Sequence, residues 1–183
     1  LGHAWLASAT LLEALRRLCR YSSVISTHGS VVELVKQRDS YALTESYPDG
    51  SVRRQQAATD AGFVAILGLC DLVTPTIVRP TRVSLTVAPG SDSTQYTELF
   101  QCPVVYGAEN QVLVFSATDL EQPLTGSIPA LAEMTDRIAS DYMQSLDSGA
   151  VATLVRRMLI QKLPSGRTDQ DAVARLLNRS RST

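Results

Sequence analysis

Residues Val31 to Tyr47 read VVELVKQRDSYALTESY, and the fold turns on how their side chains alternate. Val31, Glu33 and Val35 take one side of an extended chain and Val32, Leu34 and Lys36 the other, because successive side chains of a strand point to opposite faces. A polar break at Arg38-Asp39 follows, and Tyr41, Leu43, Glu45 and Tyr47 then resume the alternation. Two β-branched and aromatic runs about a short polar turn predict an antiparallel hairpin. Pro48-Asp49-Gly50, a strong turn sequence, closes it.

Upstream of the hairpin the period changes. Thr10 and Glu13 form a T-x-x-E capping box. Leu11, Leu15, Leu18, Ser22 and Ile25 recur at helical spacing, so a first helix is expected to end near Ser26 to Gly29. Downstream, Arg53 to Val73 reads as a helix, polar at first (RRQQAATD) and then apolar nearly all round, which predicts burial of its second half. Thr81 to Val87 (TRVSLTV) is the cleanest strand, with Val83, Leu85 and Val87 on one face. Ser91 to Phe100 reads as a short helix capped by Ser91, Asp92 or Ser93. Cys102 to Tyr106 and Gln111 to Ser116 read as a second strand pair across Gly107 to Asn110.

The last third is helical. Ile128, Leu131, Met134, Ile138, Tyr142 and Leu146 form one apolar stripe, opened by Ser127 and closed at Gly149. Val151, Leu154, Val155, Met158 and Leu159 form a second, ending before Pro164-Ser165-Gly166. Thr168 caps a terminal segment. The expected fold is α+β: an N-terminal helix, a mixed middle with about five mainly antiparallel strands and a buried helix, then a C-terminal group of helices.

The chain has 183 residues, 44% apolar and 19% charged, as in an ordinary globular protein. Its longest apolar run, Ala61 to Cys70, is closed by Asp71 and is too short to span a bilayer. The start lacks a methionine and a basic segment, so it reads as no signal peptide and the chain as part of a longer protein. Three well-separated cysteines, Cys19, Cys70 and Cys102, point to a reducing cytoplasm rather than a disulfide framework. From Ala150 onward seven basic residues (Arg156, Arg157, Lys162, Arg167, Arg175, Arg179, Arg181) face two acidic ones, whereas the first 149 residues carry ten basic and sixteen acidic. A basic end on an acidic body suits a nucleic-acid-binding tail, and equally a solvated helix face.

No motif points to catalysis. His3 and His28 have no ligand partner at metal spacing, and there is no C-x-x-C pair. No dinucleotide fingerprint, phosphate loop or G-x-S-x-G elbow occurs. His28 beside Gly29 reads as a turn residue, and Cys102 before Pro103 as a small core hydrophobe. No metal or cofactor is expected. Tyr41, Tyr47 and Tyr106 offer apolar bodies with polar tips suited to a small-molecule pocket, and also fit half-buried sheet positions.

The stretch Phe100 to Leu124, FQCPVVYGAENQVLVFSATDLEQPL, resembles the effector domain of AraC-type bacterial transcription regulators, in the branch with an arabinose-binding-like N-terminal domain. The residues that carry the likeness are Phe100, Cys102-Pro103-Val104, Tyr106, Gly107-Ala108, Asn110, Leu113 to Phe115, and Leu120 to Leu124. Upstream, PTRVSLTVAP, Tyr96 and the opening TLLEALRRLCRYSSV fit the same pattern. Two positions depart from it: Gln101 stands where a glycine commonly follows the phenylalanine, and Tyr106 where a phenylalanine is usual. The end, VATLVRRMLIQKLPSGRTDQDAVARLLNRSRST, resembles the start of the AraC-type helix-turn-helix domain, breaking off where a recognition helix begins.

The resemblance implies an effector-binding and dimerisation domain over 1–148 and a partial DNA-binding domain over 149–183. Promoter DNA would be bound by the full-length protein, with Arg179, Ser180 and Arg181 at the start of the reading element. A small-molecule effector of unknown identity would bind between the strands and the helix Phe63 to Cys70, where Tyr41, Tyr47, Arg82 and Tyr106 are the expected ligand-binding residues. The Ile128 to Leu146 stripe fits a homodimer surface and equally packing on its own sheet, and no membrane and no enzymatic activity are expected. Two other classes fit the residues: a small enzyme using His28 or Cys102, and a protein-interaction module with a basic helical tail.

Overall fold

The computed structural model describes residues 2–22, 31–47, 56–88 and 93–162; for residues 56, 93 and 146–162 it describes the backbone alone. In chain order the elements are α1 (Gly2–Leu6), α2 (Leu11–Arg20), β1 (Val31–Lys36), β2 (Ser40–Ser46), α3 (Gln56–Val73), β3 (Arg82–Ser84), α4 (Ser93–Phe100), β4 (Val104–Val105), β5 (Gln111–Ser116), α5 (Ala117–Glu121) and α6 (Pro129–Lys162). The fold is α+β, with a five-stranded sheet in the order β1-β2-β5-β3-β4. Every pairing is antiparallel except β3 with β4.

The hairpin forms as its alternation predicts, with Leu34 opposite Leu43 and Lys36 opposite Tyr41. Tyr41 and Leu43 point to the inner face, where β5 adds Leu113 and Phe115 and β3 adds Val83, with Leu85 just beyond its end. Leu43, Val83, Leu85, Leu113 and Phe115 have at most 1% exposure. Burial of each such side chain stabilises the fold by about 1.5–3 kcal/mol relative to exposure. Leu11 and Leu15 of α2, Phe63, Leu67 and Cys70 of α3, and Phe100 of α4 cover this face.

The capping box forms with one change. The Glu13 N–H donates to Thr10 Oγ1 at 3.2 Å, but the Glu13 carboxylate reaches back to the N–H of Ala9 rather than that of Thr10. Helix α2 spans Leu11–Arg20, and the region where its spacing placed the helix end, Ser26 to Gly29, lies outside the described residues. Residues 23–30, with His28, and the turn at Pro48-Asp49-Gly50 lie outside the described residues. The short helices α1 and α5 have no counterpart in the sequence reading.

Three expectations are corrected. First, Cys102 to Tyr106 does not pair with Gln111 to Ser116. Strand β3 lies between them, and Val83 and Leu85 donate their N–H groups to Pro103 and Val105 instead. Second, α3 is buried along one stripe, Thr59, Phe63, Leu67 and Cys70, while Val64 and Leu72 are exposed, because a helix on a single sheet face has only one side to cover. Third, the last helix does not stop at Gly149: α6 is one helix of 34 residues. A single interior glycine costs only about 1 kcal/mol, too little to end it.

The chain divides into two compact units, Leu1–Asp136 and Arg137–Thr183. In the first, Arg17 of α2 forms an ion pair with Asp136 at 3.0 Å, and the buried Tyr21 hydroxyl donates to the Asp136 carbonyl at 3.1 Å. The second begins with the remainder of α6. The apolar stripe of this helix is largely exposed: Met134, Ile138 and Tyr142 are each more than half exposed, while Ala132 is buried. Among the described residues no helix is long and apolar enough to cross a membrane.

Candidate functional site

The inner face of the sheet is apolar along most of its length and polar at one end. Strand β2 places Glu45 two residues beyond Leu43 on that face, and β5 places Gln111 directly opposite it. Both are buried, at 8% and 5% exposure. Gln111 Nε2 donates to Thr86 Oγ1 at 2.9 Å, and its Oε1 accepts the Thr86 N–H at 3.3 Å. The Tyr47 hydroxyl donates to Glu45 Oε1 at 3.1 Å.

Helices α3 and α4 and the loop after β4 complete this end. Thr59 continues the buried stripe of α3 one turn before Phe63. Beside it, Asp60 accepts the Tyr96 hydroxyl at 2.8 Å. The Tyr96 ring stacks on Phe100 and meets Tyr106 edge-on, with centroids 6.3 and 6.2 Å away. Gly107, at φ +70°, takes a backbone turn that suits glycine and lets its N–H reach the Val87 carbonyl. That bond holds Tyr106 near Thr86, so the contacts run from Asp60 through the aromatic rings to Gln111, Glu45 and Tyr47.

Of the residues expected from sequence, Tyr47 and Tyr106 belong to this end. Tyr41 does not: it sits at the opposite end of β2, roughly 20 Å away at the strand rise of about 3.3 Å per residue. There its hydroxyl donates to Glu121 Oε1 at 2.6 Å, and Lys36 lies 5.4 Å from its ring. The Tyr41 hydroxyl, and then Lys36, hold the Glu121 carboxyl below its usual range. The Lys36 ammonium is raised by Tyr41 first and Glu121 second. Arg82 lies on the other face of the sheet, since its neighbour Val83 points inward. Arg179, Ser180 and Arg181 lie outside the described residues.

Glu45, Thr59, Tyr96 and Gln111 were not singled out from sequence as site residues. A signal was present for Glu45 and Thr59: each is a polar residue in register with an otherwise apolar stripe. A small cleft of about 60 Å³ lies at the far end, lined by Thr74 to Val78, Asp119 and Gln122 to Leu124. It is well below the roughly 300 Å³ at which small-molecule sites begin. Burial pushes the Cys19 thiol up to about 11 and the Cys70 thiol up to about 12, and it also raises Cys102. These thiols are protonated near neutral pH, the unreactive form. Among the described residues no group of three His, Cys, Asp or Glu side chains is placed to hold a metal ion.

A sheet face closed by helices, with converging polar groups and aromatic rings at one end, is the make-up of a small-molecule sensing domain. The profile of the arabinose-binding N-terminal domain of AraC transcription regulators matches residues 1–124. The chain belongs to that family, a family of regulatory domains. No curated protein matches the sequence. Among solved structures, the transcriptional regulator CdpR from Pseudomonas aeruginosa is similar, with a TM-score of 0.57 at 15% identity. The match covers 98% of this chain and 59% of CdpR, so the chain spans little more than half of that regulator, and at this identity the likeness is one of fold.

Proposed function

We propose that residues 1–148 are the effector-binding and dimerisation part of a cytoplasmic AraC-type transcription regulator. Residues 149–183 are then the first part of its helix-turn-helix DNA-binding domain. The observation that carries this reading is the family match over residues 1–124 on a fold whose core ends in buried polar and aromatic side chains. The effector binds at that end, against Tyr47, Tyr96, Tyr106, Glu45 and Gln111, and shifts the regulator between two states by binding one more tightly. Promoter DNA is bound by the full-length protein, through elements that include Arg179, Ser180 and Arg181. The domain performs no chemistry on its ligand.

Screening small molecules for a rise in the melting temperature of the chain tests this, since a ligand that binds only the folded state stabilises it. A hit is expected, and Tyr106→Ala is expected to weaken it at least tenfold. An unchanged affinity in that variant would remove Tyr106 from the site. The exposed Met134, Ile138 and Tyr142 favour a second reading, an interaction module docking a partner through α6, in which no small molecule shifts the melting temperature.

A further inference from the structure

We infer that the ligand taken at the polar end of the sheet is a cation, carrying an ammonium or guanidinium group, with Glu45 as its counter-ion. This deepens the sensing-domain reading and rests on it.

Glu45 is held inward by register. It follows Tyr41 and Leu43 on the inner face, and turning it outward would carry both of them out of the core. Among the described residues its one partner is the Tyr47 hydroxyl on Oε1; the other oxygen receives no donor, and no Lys, Arg or His pairs with it. Two acids elsewhere in the fold do have a cation. Asp136 and Asp71, both more exposed, each meet an arginine within 3.0 Å. Glu45 is more deeply buried than either and has no cation among the described residues, and a buried, unpaired charge is among the costliest features a fold can carry.

A second group at the same end is also unsatisfied. Thr59 is 3% exposed, and its hydroxyl has no partner among the described residues. Its position follows from the course of α3. The exit of that helix, at Thr74 to Val78, lies beside Asp119 and Gln122 to Leu124, just after the end of β5. At its other end α3 meets α4, where Asp60, next to Thr59, accepts the Tyr96 hydroxyl and the Tyr96 ring meets Tyr106.

Three ligand classes can be weighed against these groups. An anion is repelled by Glu45. A neutral polyol satisfies its lone pairs but leaves the charge uncompensated in a low-dielectric surrounding. A cation does both, and the rings of Tyr96 and Tyr106 add faces that attract positive charge. Thr59 accepts a hydrogen bond from the same group.

The test uses the 183-residue chain and its Glu45→Gln variant, which keeps the shape and removes the charge. Without ligand, Glu45→Gln is expected to melt about 2 to 4 °C higher, as relief of a buried charge in a chain of this size would give. Calorimetric titration with agmatine, putrescine and choline is expected to show binding to the unmodified chain and at least tenfold weaker binding to the variant. L-arabinose and succinate, the neutral and anionic probes, are expected not to bind. Binding of arabinose or succinate with equal affinity in both proteins overturns the cation and leaves the sensing reading standing. No binding of any cation at millimolar concentration, or a lower melting temperature in the variant, overturns the inference. If the wider screen also yields no ligand, the sensing reading falls with it.

Discussion

Gln101 is the one non-glycine residue with positive φ among the described residues, at +53°. It follows the last residue of α4, and its N–H donates to the Thr97 carbonyl at 2.9 Å, which makes it the left-handed cap of that helix. A side chain costs about 1–2 kcal/mol in that conformation, and glycine takes it without penalty. The resemblance had expected glycine there, so the backbone explains the family pattern and shows what the departure costs. Gln101→Gly is expected to stabilise the chain by about 0.5–1 kcal/mol, less than the full strain because glycine also loosens the unfolded chain. Urea denaturation checks it, and a lower midpoint with unchanged slope would contradict it. Single residues also mark the limit of the sequence reading at the site. Glu45 and Thr59 were visible as polar members of apolar stripes, whereas Tyr96 and Gln111 enter through contacts whose sequence separations, 36 and 25 residues, no periodicity encodes.

Elements built by local interactions were legible. The hairpin β1-β2 and helix α2 carry their own alternation, turn and cap, and each forms where those signals lie. Thr10→Ala is expected to cost about 1 kcal/mol by removing the acceptor for the Glu13 N–H, and thereby to lower the melting temperature by about 2–4 °C. No change would mean that packing of Leu11 and Leu15 alone fixes the start of α2. Pairings made at a distance were not legible. The segment Gly107 to Asn110 has the composition of a hairpin turn, yet β3 comes from earlier in the chain and takes the place between β4 and β5. Gly149 looked like a terminus, but the hydrogen bonds of the flanking turns outweigh one glycine.

For the molecule as a whole, the exposed α6 side chains Met134, Ile138 and Tyr142 are the feature that bears on assembly. Under the proposed dimer, Ile138→Glu places a charge in the contact and converts the dimer to a monomer. Sedimentation velocity at rising concentration checks this, and an unmodified chain that stays monomeric removes the dimer. The division of labour in the fold was readable from composition and order, since helices segregated at the ends of a hairpin-rich middle define α+β. The order of strands was not, because five short strands permit several arrangements with equal burial.

That strand order sets a timetable for synthesis. The hairpin is complete once Ser46 has emerged, but its neighbour β5 is made about 70 residues later, several seconds at ribosomal speed. In that interval one edge of β2 has no strand to pair with, and Tyr41 and Leu43 have no Phe115 or Leu113 beside them. The nascent chain therefore passes through a stage with an open, apolar sheet edge, the state in which growing polypeptides are most prone to associate with one another. A chain released anywhere between β2 and β5 would be held at that stage, unable to close its sheet.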